Sequence, residues 1–375
     1  LTIDNQKSKI AHPKLSIFST KHLLLIMQKF ISRFSWLFIW LLLVACSGNK
    51  DTAPAGKYDS GVIIVNEGNF SDSDGELSFW NRGTQQVTQQ IFQAENQRPF
   101  AGIIQSVRLY NNRLYAIANR GDKLEVMEAG TMKSIATISD ATRMINPQDF
   151  AAVGNRGFVS CWGPFSPTFS RDNPALVVVD LQSNQIVSSL RLPTFPQGLL
   201  AANNKIFVAL AGTRHVAVVN PETAQIEASI EVLQSPQRLF LDANNRIWAV
   251  GSGGFARINP NTNQVEATIA ASATVRPNGK AAMSADRRTL YFLVGGFNTP
   301  QSVFELPITA SAMPTTPIFS QNNIYGIGCD PQDGTIWLAD SNGFQGNGTV
   351  IRIRPDGTRI GTIAAGRGPN GFLFR

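Results

Sequence analysis

Apolar residues in this chain come in short runs of period two, broken by turn residues, and not three and four apart as a helix requires. The stretch from Pro196 to Leu233 shows the unit: an apolar run, an Asn203-Asn204 turn, a second run from Ile206 to Leu210, a loop, and a third run ending at Asn220-Pro221. A last strand then alternates cleanly through Ile226, Ala228, Ile230 and Val232. The next stretch, from Pro236, repeats the pattern with its own Asn244-Asn245 pair and Asn259-Pro260. Four short strands recurring after about 40 residues predict the blade of a β-propeller.

The turn between third and fourth strands marks the repeat. It begins at Asn81, Glu128, Asp180, Asn220, Asn259, Leu306 and Arg354, at intervals of 47, 52, 40, 39, 47 and 48. Pro-Gln or Pro-Asn opens most units, at Pro147, Pro196, Pro236, Pro277 and Pro369. Pro369 to Arg375 reads as a first strand with no blade after it, and Gly61 begins a second strand with no first. An open ring would leave its terminal blades half unpacked, so the pattern predicts an all-β, seven-bladed propeller spanning 61–375, closed by pairing the C-terminal strand with the N-terminal blade.

Residues 1–45 read as an upstream extension followed by an export signal that starts at Met27. Lys29 and Arg33 precede an apolar core, Phe34 to Val44, too short for a comfortable membrane span. It ends in Leu43-Val44-Ala45-Cys46, which resembles the lipobox of bacterial lipoproteins, where the cysteine carries the lipid. Residues 46–60 are then a lipidated Cys46 and a polar, flexible tether. Ser47 in place of an aspartate favours the outer membrane of a Gram-negative cell, at its surface or periplasmic face.

Charge and chemistry narrow the picture. The formal net charge is +7, but after residue 45 there are 27 basic and 25 acidic residues, or +2, too even for a nucleic-acid surface. Cys161 and Cys329 fall in distant blades and read as small buried hydrophobes. His215 is the single histidine after residue 45, which removes multi-histidine metal sites, and no nucleophile elbow accompanies it. Glu67, Asp122 and Asp340 are the carboxylates from which a Ca²⁺ site would have to be built; SDSDG from Ser71 reads as a turn. No other cofactor is expected.

The loops between second and third strands are aromatic, and they open on one face of a propeller. They supply the candidate ligand-binding residues: Asn66, Glu67 and Phe70; Asn119 and Arg120; Trp162 and Phe165, in an insertion that also carries Phe169 and Arg171; Arg214 and His215; Phe255; Phe297; and Phe344. Gln148, Gln197, Gln237, Asn278 and Asn370 either ring the channel with amides or satisfy backbone at the blade junctions.

FVALAGTRHVAVVNPETAQ and YAIANRGDKLEVMEAGTMK resemble the YncE-like (YVTN) propeller repeat. VNEGNF (Val65 to Phe70) with GELSFWN (Gly75 to Asn81), behind a lipobox, is similar to surface lipoprotein propellers of Gram-negative nutrient uptake, of the cobalamin-binding BtuG type. That resemblance implies a non-catalytic protein, monomeric outside its transporter complex, that captures a corrinoid or other small nutrient for a TonB-dependent outer-membrane transporter. Two alternatives stay open: a metal-dependent hydrolase of the lactonase kind, and a protein-interaction scaffold of the cell envelope.

Overall fold

In the computed structural model, residues 56–165, 171–296 and 299–375 are described; Cys46, Phe169, Phe297 and Asn298 lie outside them, and so does the tether up to residue 55. Among the described residues no helix is long and apolar enough to cross a membrane. Seven four-stranded antiparallel sheets follow one another along the chain. The inner strands are Ile104–Tyr110, Pro147–Val153, Pro196–Ala202, Pro236–Leu241, Pro277–Met283, Ile324–Cys329 and Pro369–Phe374. Each contacts the next, and the last contacts the first, so the domain is a closed seven-bladed β-propeller.

Closure occurs in blade 1. Its inner strand, Pro369–Phe374, pairs antiparallel with Gly61–Asn66, with Val62 opposite Phe374 and Ile64 opposite Phe372. Glu76–Asn81 and Val87–Thr88 complete the sheet. Period two in the sequence becomes two faces in space. Val62 and Ile64 point toward blade 7 and pack with Trp337 and Val350, whereas Ile63 and Val65 point toward blade 2 and pack with Leu114 and Ala116. The same division recurs round the ring: Ile247 and Ala249 join a cluster with blade 4, Trp248 and Val250 one with blade 6. Among the described residues there are seven such buried clusters, one between each neighbouring pair of blades. Each large side chain removed from water this way stabilises the fold by about 1.5–3 kcal/mol.

The marker turns have a physical cause. Asp180 accepts backbone hydrogen bonds from Gln182 and Ser183, and Asn220 does the same for Glu222 and Thr223. The fifth residue of each of the first five turns (Gln85, Met132, Asn184, Ala224, Asn263) is left-handed, which reverses the chain into the outermost strand. Two short elements depart from the expectation of strands alone: Ile91–Asn96 forms a helix that buries Ile91 and Phe92 beside Phe100, and Asn342–Phe344 forms a single 3-10 turn.

Polar contacts lock the seam. Asn66, fully buried, donates to the Ser78 hydroxyl at 2.8 Å and accepts from the Gly366 N–H at 2.9 Å. Arg82 of blade 1 holds the buried Asp330 of blade 7 through two hydrogen bonds of 2.7 and 2.8 Å. Arg367 reaches Asp72 and Asp74 across the same seam. SDSDG is thus a turn tied down by an arginine. Cys161 and Cys329 are both free and buried, as the sequence implies. Burial pushes the Cys161 thiol well up and that of Cys329 to about 11.

Two outcomes test this seam. Arg82→Met leaves the Asp330 carboxylate buried and unpaired, and denaturant unfolding is expected to show a loss of about 3–5 kcal/mol, much of it restored in Arg82→Met/Asp330→Leu. Glu76 sits near Asn66 and Gly366. Burial, with Asp74 nearby, pushes its carboxyl from 4.5 up to about 7. The folded state therefore binds the extra proton between these values, and this group's contribution to stability declines as pH rises through about 7. Thermal melts of Glu76→Gln are expected to lack that decline and to exceed the parent above pH 7.

Candidate functional site

Because every sheet is antiparallel, the start of each inner strand lies on the same face as the loop between second and third strands. At that face all seven inner strands break register. Ile104 pairs with Ala118 and Ser106 with Ile117, so Gln105 is unpaired. The same shift leaves out Gln148, Gln237, Tyr325 and Asn370. In blade 4 it leaves Gln197-Gly198, and in blade 6 Asn278, Gly279 and Lys280 stand opposite Leu293 alone. A bulge frees side chains from the ladder and re-aims them. Seven bulges at one end of a channel make a polar ring at its mouth. Gly279, at φ +87°, is needed here, since a Cβ would strike the Gln237 amide.

The amides of the ring divide their work. Gln148 and Asn278 bond to backbone carbonyls of their own blades, Asn146 at 3.0 Å and Gly295 at 2.9 Å. Gln105 and Asn370 grip the two oxygens of Glu67, at 2.9 and 3.1 Å, and Asn370 also donates to the Ile104 carbonyl at 3.0 Å. Glu67 stands beside Tyr325, whose hydroxyl is pushed far up by burial and then by that carboxylate. The Lys280 ammonium lies 4.5 Å from the centre of the Tyr325 ring, and Phe344 meets that ring edge-on at 5.1 Å.

Beneath the ring lies a cavity of about 120 Å³ lined by Gln105, Arg108, Arg238, Lys280, Asn370 and Phe372. Asp149 takes a bidentate bond from Arg108, at 3.0 and 2.9 Å, and lies 3.8 Å from Arg238. Burial alone would raise the Asp149 carboxyl, but the two guanidinium groups hold it below the ordinary range. Lys280 is lowered to about 8, first by burial and then by the Arg238 charge.

The expected residues spread unevenly over the face. Phe70 is exposed and stacks under the Arg120 guanidinium at 4.4 Å. Trp162 and Phe165 enclose Arg171, at 3.4 and 4.4 Å from their centres, with Phe195 completing the box edge-on to Trp162. Burial lowers Arg171 to about 10. Asn119 closes a backbone bond to Ile103 at the junction between blades 1 and 2. Arg214 pairs with Glu231 of the outermost strand at 3.7 Å, and His215 opens the third strand opposite that glutamate, so both lie in the outer half of blade 4.

Two expectations are corrected. Asn66 is not at the face: it is wholly buried and spent on the closure seam. Phe255 is not in a loop: the preceding turn ends at Gly253, and the ring is wholly buried against Phe292 at 4.9 Å. The carboxylates considered for calcium do not converge. Asp122 accepts from the Asn146 N–H, Asp340 from Asn342 and Gln321, and Glu67 from the ring amides. Among the described residues no three metal-ligating side chains come together. Arg108, Asp149, Arg238, Lys280 and Tyr325 escaped the sequence reading, although each follows a blade opening by one to four residues.

Residues 60–358 match the family described as "Domain of unknown function (DUF5074)", and the chain belongs to that family. No curated protein sequence matches it. Its fold is shared with the periplasmic gluconolactonase of Pseudomonas aeruginosa, at 13% identity and a TM-score of 0.63 over 84% of this chain and 98% of the other. A quinonprotein alcohol dehydrogenase-like protein from Bacteroides thetaiotaomicron gives 12% identity and 0.63, over 84% and 78%. A putative 6-phosphogluconolactonase from Bacteroides uniformis gives 12% and 0.59, over 84% and 100%. Enzymes thus occur among proteins of this fold, and at these identities the fold is all that is shared.

The contrast between Phe255 and Phe70 is directly measurable. Phe255→Ala empties a packed site and is expected to cost about 3–5 kcal/mol in chemical denaturation. Phe70→Ala is expected to stay within about 0.5 kcal/mol of the parent.

Proposed function

We propose that this DUF5074 propeller is a non-catalytic capture protein that holds a small molecule over the channel mouth. The observation that carries the reading is the ring of seven bulges, which frees Gln105, Gln237, Lys280, Tyr325 and Asn370 from the ladder at the channel mouth, Gln105, Lys280 and Asn370 lining one cavity, with Glu67 held between two of the amides. A ring so built offers both donors and acceptors, and Tyr325 and Phe344 add an apolar wall. Such a wall suits a flat, partly apolar ligand with polar substituents. A corrinoid has that character, and the lipobox-like Cys46 and the resemblance to nutrient-uptake lipoproteins support capture at an outer membrane for a TonB-dependent transporter. The carboxylates of the face are committed to hydrogen bonds and do not gather around a cation site, which favours binding over lactone hydrolysis.

The test is co-elution of cobalamin or cobinamide with the purified protein on gel filtration, followed by titration of variants. Tyr325→Ala is expected to weaken binding about tenfold or more, equal to about 1.4 kcal/mol, with little change in melting temperature. Turnover of gluconolactone that disappears on adding a chelator would instead establish the hydrolase. Retention of envelope proteins without any small-molecule binding would establish the scaffold.

A further inference from the structure

We propose that the cavity beneath the ring is an anion site, in which Lys280 and Arg238 seat a carboxylate or phosphate group carried by the ligand. The inference rests on the capture reading and adds the chemical class of what is captured. Its basis is a local imbalance of charge. Arg108, Arg238 and Lys280 line one cavity of about 120 Å³, room for several waters or a small oxyanion. On the acidic side, Asp149 is committed to Arg108 through both oxygens and meets Arg238 only at 3.8 Å. Glu67 faces Lys280 from the blade 1 loop, yet its two oxygens accept from Gln105 and Asn370. Among the described residues no carboxylate forms an ion pair with Lys280; the contact it makes is with the Tyr325 ring.

A cation partly withdrawn from water without a partner is costly, and beside a second cation more so. The fold nevertheless spends a three-residue bulge, with a left-handed Gly279, on placing Lys280 there. An arriving anion supplies the missing partner. Two guanidinium or ammonium donors from adjacent blades converge on it, the geometry that oxyanions favour. Burial and Arg238 lower Lys280 to about 8, so a bound anion also draws a proton onto it above that pH. The other charged and titratable groups around Lys280 are Arg238, Arg108, Asp149, Glu67 and Tyr325; the Asp149 carboxyl is held below its ordinary range and the Tyr325 hydroxyl far above its own, so neither titrates near pH 8.

The experiment is calorimetric titration of the full chain with acetate and, separately, inorganic phosphate, the two arms distinguishing a carboxylate from a phosphate group. Acetate keeps a constant charge above neutrality. Its dissociation constant is therefore expected to be flat below pH 8 and to rise about tenfold per unit above it. Lys280→Met is expected to weaken binding by about tenfold or more. Lys280→Arg, which stays charged, is expected to retain binding and to lose the pH dependence. The inference is overturned if neither anion binds saturably, if Lys280→Met binds as the parent does, or if Lys280→Arg keeps the alkaline loss. Cobinamide binding alongside any of those results would leave the capture reading standing and remove only the anion.

Discussion

The structure depends on one strand pairing made across the whole length of the domain: Pro369–Phe374 hydrogen-bonds to Gly61–Asn66. Every blade needs a neighbour on each side, because alternate residues of its strands face opposite ways. Without closure, Val62, Ile64, Trp337 and Phe372 would share an exposed face in place of one buried cluster. Asn66, Arg82 and Arg367 reinforce that pairing with polar contacts specific to the seam, so a wrongly registered ring would leave buried polar groups unpaired. Closure also creates the site. Asn370, on the final strand, is one of the two amides that hold Glu67, so the mouth is incomplete until the last strand docks.

A β-bulge costs ladder hydrogen bonds, and seven of them at one end of the inner strands form a pattern with a purpose. In blades 3 and 6 the bulge side chain replaces what was lost by bonding to a nearby carbonyl. In blade 2 it turns to Glu67 instead, and in blade 1 Asn370 does both, bonding Glu67 and the Ile104 carbonyl. Structural satisfaction and site-building therefore draw on the same repeated position, with neighbouring charge deciding which prevails.

Much of the fold was legible because burial on both faces of the middle strands gives short continuous apolar runs, because one-sided burial of the outermost strands gives period two, and because Asn or Asp opens four of the seven turns between third and fourth strands and bonds backbone there. Pro-Gln and Pro-Asn marked five of the seven ring positions. Ile104-Gln105 and Ile324-Tyr325 occupy the same register without the proline, and only the pairing reveals them. Lys280 and Arg238 were illegible for a different reason. Whether a charged residue in an inner strand meets solvent, a partner or the channel is set by bulge geometry, which adjacent residues do not encode. Phe255 shows the converse: two glycines before it suggested a loop, but Gly251-Ser252-Gly253-Gly254 makes so tight a turn that the ring already belongs to the strand.

The location of the cores explains why such a site can exist at all. Apolar burial lies between blades and leaves the channel outside it, so polar and charged groups at the mouth do not compete with folding. A lysine placed at Phe255 or Phe292 would destroy a packed cluster, whereas Lys280 occupies a bulge whose neighbours are amides, charges and one ring face. The inner strands are held by pairing on one edge and by blade contacts on both faces, and their other edge is left to line a wet hollow. That free edge carries polar chemistry without cost to the ring. Phe70 and Arg120 belong to the same regime: exposed and replaceable, they owe their position to the closed blades beneath them and give little back in stability.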